Sequence, residues 1–106
     1  MREISVEELK QRVDNGEQLN VLDVRDPDEY AEFNIGAKLL PLGNIINMQI
    51  DDIDEWKDKE VIVHCRSGKR SMQACMVLEQ VGFADTVNVT GGILAWEEKF
   101  GTEKLK

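Results

Sequence analysis

Apolar residues recur at helical spacing in several stretches of this chain. Val6, Leu9 and Val13 are three and four positions apart, as on the buried face of an amphipathic helix. Ser5 and Glu8 have the spacing of a capping box, which marks the start of that helix. The predicted helices run from Ser5 to Asn15 and over 27–33, 69–81 and 93–100, with a short irregular helix within 39–50 and an acidic, exposed helix near 51–56.

The apolar positions of the segment 69–81 predict which face of that helix is buried. Met72, Cys75 and Leu78 recur at helical spacing, and Met76 extends the pattern. We therefore expect these side chains to face the core. In that position Cys75 is a small buried hydrophobic residue rather than a second redox centre.

Short apolar runs alternate with the helical segments and predict the strands. The clearest is 60–65, whose uniformly apolar centre is typical of a strand that is covered on both faces. Weaker candidates lie at 21–24, at 86–89 and at 37–42, the last of which contains a proline and belongs at an edge. Because helical segments separate the strands, the connections are crossovers. The sequence thus predicts one α/β domain over residues 1–106, with a central, mostly parallel sheet of about five short strands and helices on both faces.

The composition is that of an ordinary soluble globular domain. Its 106 residues are 42% apolar and 32% charged, which is enough for a hydrophobic core. No apolar run approaches the ~20 residues needed to cross a bilayer, and the first ten residues lack the apolar segment of a signal peptide. The two cysteines, Cys65 and Cys75, form neither a CxxC pair nor a disulfide framework. Together these features predict a cytoplasmic protein.

The charge is unevenly distributed along the chain. A formal net charge of −8 argues against nucleic acid or an anionic membrane as a partner. Against this acidic background the segment 65–70, CRSGKR, places Arg66, Lys69 and Arg70 around one thiol. A solvated surface run is the ordinary explanation of clustered charge. The thiol within the run favours a functional explanation instead.

The position of Cys65 in the predicted fold indicates what that thiol does. It lies between a strand and a helix, at the carboxyl edge of the sheet, where open α/β proteins bind ligands. Free amides at the helix start, the helix dipole and the three cations all favour an anion there. Ser67 and Gly68 let the loop curl so that its amides point inward. Such surroundings lower a thiol pKa from ~8.5 into the range ~3.5–7.5, so we expect a nucleophilic thiolate near neutral pH.

Three segments of the chain resemble one known family. The strand–CRSGKR–helix unit is similar to the active-site loop of the rhodanese-like sulfurtransferases, and LDVRDPDEY (22–30) and GGILAW (91–96) look like that family's N-terminal and closing motifs. The three segments occur in the family's order over nearly the whole chain. One departure is the sequence at 33–35, Phe-Asn-Ile, where the family often has Gly-His-Ile. That segment is chiefly structural in the family.

The resemblance implies a rhodanese-like fold and a double-displacement reaction. The Cys65 thiolate would attack the outer sulfur of thiosulfate or a similar anionic donor and become a persulfide. A thiophilic acceptor, which is cyanide in the test tube and a thiol or a protein in the cell, would then remove the sulfur. Ping-pong kinetics is the expected signature. Nothing in the sequence calls for a metal or an organic cofactor.

The loop residues are expected to share the work of binding. Arg66 and Lys69 would attract the donor, whereas Arg70 and the amides of 66–70, including those of Ser67 and Gly68, would stabilise the sulfur anion.

Two alternatives remain open from the sequence. A non-catalytic rhodanese-type binding module would have the fold without the reaction, although such a module has no need to retain Cys65 and the three cations. A cysteine-dependent phosphatase or arsenate reductase has five residues between cysteine and arginine, whereas Arg70 follows Cys65 after four. The shorter loop suits a single sulfur better than a tetrahedral phosphate. The physiological donor and acceptor and the oligomeric state are left open.

Three further residues are expected to support the site. Asp23 and Arg25 lie two apart at a strand end and are predicted to form a buried or half-buried salt bridge that holds the loop framework. His64 is the only histidine and adjoins Cys65, but neighbours along a strand point to opposite faces. We therefore predict a structural role for His64 beneath the loop.

Overall fold

The short apolar runs of the chain pair into a single five-stranded sheet. A computed structural model describes residues 1–105. The strands are Arg2–Ile4 (β1), Val21–Asp23 (β2), Lys38–Leu39 (β3), Glu60–His64 (β4) and Asp85–Val89 (β5). The helices are Val6–Asp14 (α1), Pro27–Glu32 (α2), Leu42–Ile46 (α3), Lys69–Gln80 (α4) and Gly92–Phe100 (α5), with a 3-10 helix at Asp51–Trp56.

The strands lie in the order β1-β5-β4-β2-β3, and every neighbouring pair is parallel. This confirms the predicted α/β class and the mostly parallel sheet of about five strands. Crossover helices make this order possible because parallel neighbours cannot be joined by tight hairpins. The weak strand predicted near residues 37–42 is the two-residue β3 at one edge.

Strand β1 at the opposite edge was not predicted as a strand. Arg2 pairs with Val87 and Ile4 with Val89, so backbone hydrogen bonds to β5 define this strand. Only Ile4 of its three residues is buried. A single buried residue gives no periodic signal, and for that reason the sequence pattern did not reveal the strand.

Two hydrophobic cores cover the two faces of the sheet. On one face α1 and α5 pack, with Leu9 and Trp96 fully buried among the valines of β5. On the other face α3, the 3-10 helix and α4 pack, with Ile45 and Leu78 at the centre. Helices on both faces are therefore confirmed. No helix among residues 1–105 combines the length and the apolar character that crossing a bilayer requires.

The buried face of α4 differs from the predicted one. Cys75 and Leu78 are buried as expected, but Met72 is 40% exposed and Met76 is 55% exposed. Ser71 occupies the core-facing position of the first turn in place of Met72. The prediction for the two methionines was wrong because a polar residue holds the place that the apolar pattern assigned to them.

Candidate active site

Cys65 lies immediately after β4, where the chain leaves the carboxyl edge of the sheet. The loop that follows turns sharply at Gly68, whose φ of +110° is the left-handed conformation that glycine adopts without strain. Gly68 is also the N-cap of α4, so the first amides of that helix point back towards the loop. Cys65 itself is only 1% exposed. The sulfur is thus held inside the loop rather than on its surface.

Two hydrogen-bonding groups contact the sulfur atom. The amide of Gly68 donates to Sγ at 3.1 Å, and the hydroxyl of Ser71 lies 3.4 Å from Sγ. Burial raises the pKa of the Cys65 thiol, but the Ser71 hydroxyl and the amides of Ser71, Gly68 and Ser67 oppose it and bring the pKa below its ordinary value. This is the direction predicted from the sequence, and an ionised Cys65 near neutral pH stays a prediction. The main agents are one hydroxyl and the loop amides rather than the cations.

The three cations of the loop occupy different environments. Arg70 is bound by the carboxylate of Glu29 in α2, with Nη1–Oε1 and Nη2–Oε2 distances of 2.7 and 2.9 Å. Arg66 and Lys69 are exposed, and neither has a carboxylate within ion-pair distance among residues 1–105. The three cations that the sequence places around the thiol are therefore not equivalent. One cation is largely neutralised, and two are free to meet an anion from solution.

Arg66 lines a shallow depression of about 160 Å³ beside the cysteine loop. The depression lies between α2 and the start of α5, and its walls combine apolar side chains with carboxylates. The other lining residues are Arg25, Glu29, Glu32, Phe33, Ile93, Leu94 and Glu97.

The start of α5 closes over the cysteine loop. The amide of Ile93 donates to the carbonyl of Cys65 at 2.9 Å, and that of Leu94 donates to the carbonyl of Arg66 at 3.1 Å. This approach requires glycine at position 92, because a Cβ there would lie 2.5 Å from both carbonyl oxygens. The Gly-Gly pair of the closing motif thus has a direct structural explanation. It lets two helix amides reach the backbone that carries the thiol.

A buried ion pair lies beneath the loop. Arg25 donates to both carboxylate oxygens of Asp23, with Nη2–Oδ2 at 2.8 Å, and to the carbonyl of Phe33. The salt bridge expected from the sequence is present, and both residues are buried.

His64 is also buried, and its Nδ1 lies 3.2 Å from the carbonyl of Cys65. Burial lowers the pKa of His64, so the neutral ring donates through Nδ1. Its Nε2 lies 3.6 Å from Asp23 and has no hydrogen-bond partner among the described residues.

Two residues near the sulfur were not singled out from the sequence. They are Ser71, which lies in the predicted helix 69–81, and Asn88, which lies in the predicted strand 86–89. The Ser71 hydroxyl donates to Oδ1 of Asn88, and both side chains are buried. No spacing along the chain signals this contact because the residues are 17 positions apart and meet only when α4 packs on β5.

Cys75 lies on the core side of α4 and is buried. Burial raises its pKa to about 11, so this thiol stays protonated near neutral pH. Residues 1–105 contain no group of His, Cys, Asp and Glu side chains arranged to hold a metal ion.

Both the sequence and the fold of this chain are similar to those of known proteins. The family model of the rhodanese-like domain matches residues 5–99. The putative sulfurtransferase YtwF of Bacillus subtilis is 42% identical over 98 residues, covering 92% of this chain and 91% of the relative. A sulfurtransferase of Allochromatium vinosum is 40% identical over 97 residues, covering 91% of this chain and 88% of the relative. The crystal structure of a rhodanese-like domain protein from Staphylococcus aureus is 34% identical with a TM-score of 0.79, covering 91% of each chain.

Proposed function

This chain belongs to the rhodanese-like domain family, and we propose that it moves a sulfane sulfur from an anionic donor such as thiosulfate to a thiophilic acceptor through a persulfide on Cys65. The observation that carries the proposal is the position of Sγ at the focus of loop amides and the Ser71 hydroxyl, with a lowered pKa. A thiolate is the nucleophilic form of cysteine. A general base is then unnecessary for the first step.

In the first step the electron pair of the Cys65 thiolate attacks the outer sulfur of thiosulfate. A new S–S bond forms, the S–S bond of thiosulfate breaks, and sulfite leaves with that bond's electron pair. In the second step an acceptor nucleophile attacks the outer sulfur of the persulfide, and the thiolate is the leaving group. Sulfur and charge balance in each step without an external oxidant or reductant.

The burial of Cys65 restricts which donors react. Since the residue is only 1% exposed, a donor must present a narrow terminal atom at the mouth of the loop. The outer sulfur of thiosulfate has this form. Exposed Arg66 and Lys69 supply positive charge for the oxygen-bearing end of the donor, because they are not paired with carboxylates of the described residues.

The environment of Arg70 argues against a phosphatase. A phosphatase loop presents its arginine to two oxygens of a phosphate. Here the guanidinium faces Glu29, and its Nη1 and Nη2 atoms are engaged by the two carboxylate oxygens. This geometry favours a site that holds one sulfur atom within the loop over a site that holds a tetrahedral dianion.

Intact mass spectrometry after brief incubation with thiosulfate tests the proposal. We expect a gain of one sulfur atom that maps to Cys65 and disappears on treatment with cyanide. The Cys65→Ser variant should gain nothing and should fold, since serine retains the size of the side chain. A folded wild-type protein that takes up no sulfur would contradict the proposal and favour the binding-module alternative.

A further inference from the structure

Asn88 lies in β5 between β1 and β4, with its side chain on the face that α4 covers. Only 1% of the residue is exposed, and both ends of its amide are used. Nδ2 donates to the carbonyl of Gly68 at 3.4 Å, and Oδ1 accepts the hydroxyl of Ser71. Because the carbonyl of Gly68 can only accept hydrogen bonds, the atom of the Asn88 amide that faces it is Nδ2, and Oδ1 faces Ser71. A buried amide in this position is unfavourable unless both ends are paired.

Ser71 has one hydroxyl proton and two neighbours that compete for it. Oδ1 of Asn88 is an acceptor only, whereas the sulfur of Cys65 is a donor as a thiol and an acceptor as a thiolate. When Ser71 donates to Asn88, its oxygen is left to accept from the sulfur, which must then be a thiol. When the sulfur is a thiolate, the hydroxyl turns towards it and Oδ1 of Asn88 is left without that donor.

We infer that Asn88 is a positioning residue that competes with the Cys65 sulfur for the single hydroxyl proton of Ser71, and so sets how readily the thiol ionises. The inference rests on the proposed function insofar as Cys65 is the reacting thiol. In the persulfide the inner sulfur carries no negative charge, and the Ser71 proton returns to Asn88. The hydroxyl therefore alternates between two acceptors as sulfur is loaded and removed.

The neighbouring polar residue on the same strand shows that this arrangement is particular to Asn88. Thr86 also faces α4, but its hydroxyl donates to Glu79 at 2.7 Å and not to the cysteine loop. In Asn88 both polar ends contact residues of the loop and of the first turn of α4. Thr86 is therefore a matched control on the same strand and the same face.

Other titratable and charged groups near the cysteine loop are common to every variant considered. They lie on the loop, on β4 and on the elements packed against the loop, and they are Arg66, Lys69, Arg70, His64, Glu29, Glu32 and Glu97. Because these groups are the same in each variant, the differences in titration midpoint between variants at positions 71 and 88 do not contain their contribution to the pKa of Cys65.

Titration of the thiol in the absence of any sulfur donor tests the inference. Thiolate absorbance is followed against pH in a Cys75→Ala background, which leaves Cys65 as the single thiol. Asn88→Leu should lower the midpoint because the Ser71 proton is then free for the sulfur, giving roughly three- to tenfold more thiolate at a pH below the midpoint. Ser71→Ala should raise the midpoint. The double variant should match Ser71→Ala alone.

This cycle separates competition for a proton from a general loosening of the loop. A loosened loop would shift the midpoint with or without Ser71, and an equal shift from Asn88→Leu in both backgrounds would overturn the inference. So would an unchanged or raised midpoint in the single variant. Thr86→Val should leave the midpoint where it is, since Thr86 does not contact the loop.

A second variant keeps the test decisive if Asn88→Leu does not fold. Asn88→Asp has the same shape and offers a stronger acceptor, but its negative charge also raises the midpoint directly, so the shift is measured with and without Ser71. The rise should be larger with Ser71 present than in the Ser71→Ala background, and an equal rise in both backgrounds would overturn the inference. Because no sulfur donor is present, these outcomes do not depend on whether Cys65 takes up sulfur, and a failure of the transferase proposal would be seen separately in the mass experiment.

Discussion

The carboxylate of Glu29 holds the guanidinium of Arg70 in a two-point ion pair, with N–O distances of 2.7 and 2.9 Å. The contact joins α2 to the first turn of α4, across 41 positions of sequence. Glu29 also accepts the amide of Asp26 at the start of α2 and so completes a capping box there. One side chain therefore caps its own helix and fixes the last residue of the cysteine loop.

This ion pair predicts a loss of stability in acid. The hydrogen bond from Arg70 lowers the pKa of Glu29 from 4.5 to about 2, so the folded-state value lies below the unfolded one. The stabilisation is complete above pH 4.5 and is lost as the pH falls towards about 2. With allowance for partial exposure we expect about 1–2 kcal/mol from this pair. Glu29→Gln, which retains an acceptor for Asp26, should show a correspondingly weaker pH dependence in urea unfolding.

Glu32→Gln is the matched control, because Glu32 ends the same helix, is exposed and has no ion pair among residues 1–105. If the two substitutions changed the pH dependence of unfolding equally, the loss of stability in acid could not be assigned to the ion pair of Glu29 and Arg70.

Gly92→Ala should disrupt the closure of α5 over the cysteine loop. The new Cβ would lie 2.5 Å from the carbonyl oxygens of Cys65 and Arg66, and the φ of +54° disfavours any other residue. We expect a loss of about 2–4 kcal/mol in the free energy of unfolding, together with a raised thiol pKa.

Gly16→Ala separates the two causes, since Gly16 has a φ of +84° in the left-handed turn that ends α1 but open space surrounds the position. It should cost only about 1 kcal/mol. Similar losses from both variants would show that the close approach at position 92 is unimportant.

Arg66→Ala and Lys69→Ala should weaken donor binding. Because both side chains are exposed and lack carboxylate partners among the described residues, each is expected to raise the KM for thiosulfate roughly three- to tenfold, with less effect on the acceptor step. The effect should shrink as salt is added. Lys59→Ala removes an exposed lysine at the amino end of β4 and should leave KM unchanged. An unaltered KM in both loop variants would refute the assignment.

The two cysteines should differ sharply in reactivity near neutral pH. Loop hydrogen bonds lower the pKa of Cys65 despite its burial, whereas burial raises the pKa of Cys75 to about 11. Limited treatment with iodoacetamide should therefore modify Cys65 first, and peptide mapping by mass spectrometry identifies the site. Equal labelling of both cysteines, with the fold intact, would be incompatible with this account.

The elements with strong local signals were predictable from the sequence. The box of Ser5 and Glu8 is present at the start of α1, and the apolar run before Cys65 is a central strand. The pair of Asp23 and Arg25 was also predictable, because the two residues lie on one strand end and need each other when buried. Each of these features depends on residues close together in the chain.

The features that sequence reasoning missed depend on contacts between distant segments. Arg70 was counted as free charge because Glu29 lies 41 positions away. Ser71 takes a core position because the sulfur and Asn88 both bind its hydroxyl, and this choice turns Met72 outward. An apolar pattern ranks positions by hydrophobicity and therefore assigns the core face to the methionine. The sequence predicted the direction in which the pKa of Cys65 is shifted. The groups that lower this pKa are identified only by the packing of α4 on β5.

The pairing of β1 with β5 has a consequence for the order in which the protein is built. As the chain emerges from the ribosome, residues 2–4 have no strand to join until residues 85–89 have been made. The carbonyl of Cys65 likewise waits for Ile93. During synthesis the nucleophile therefore has neither its complete backbone support nor its final enclosure until residue 93 has been made, so the reactive sulfur matures later than the strands and helices that precede α5.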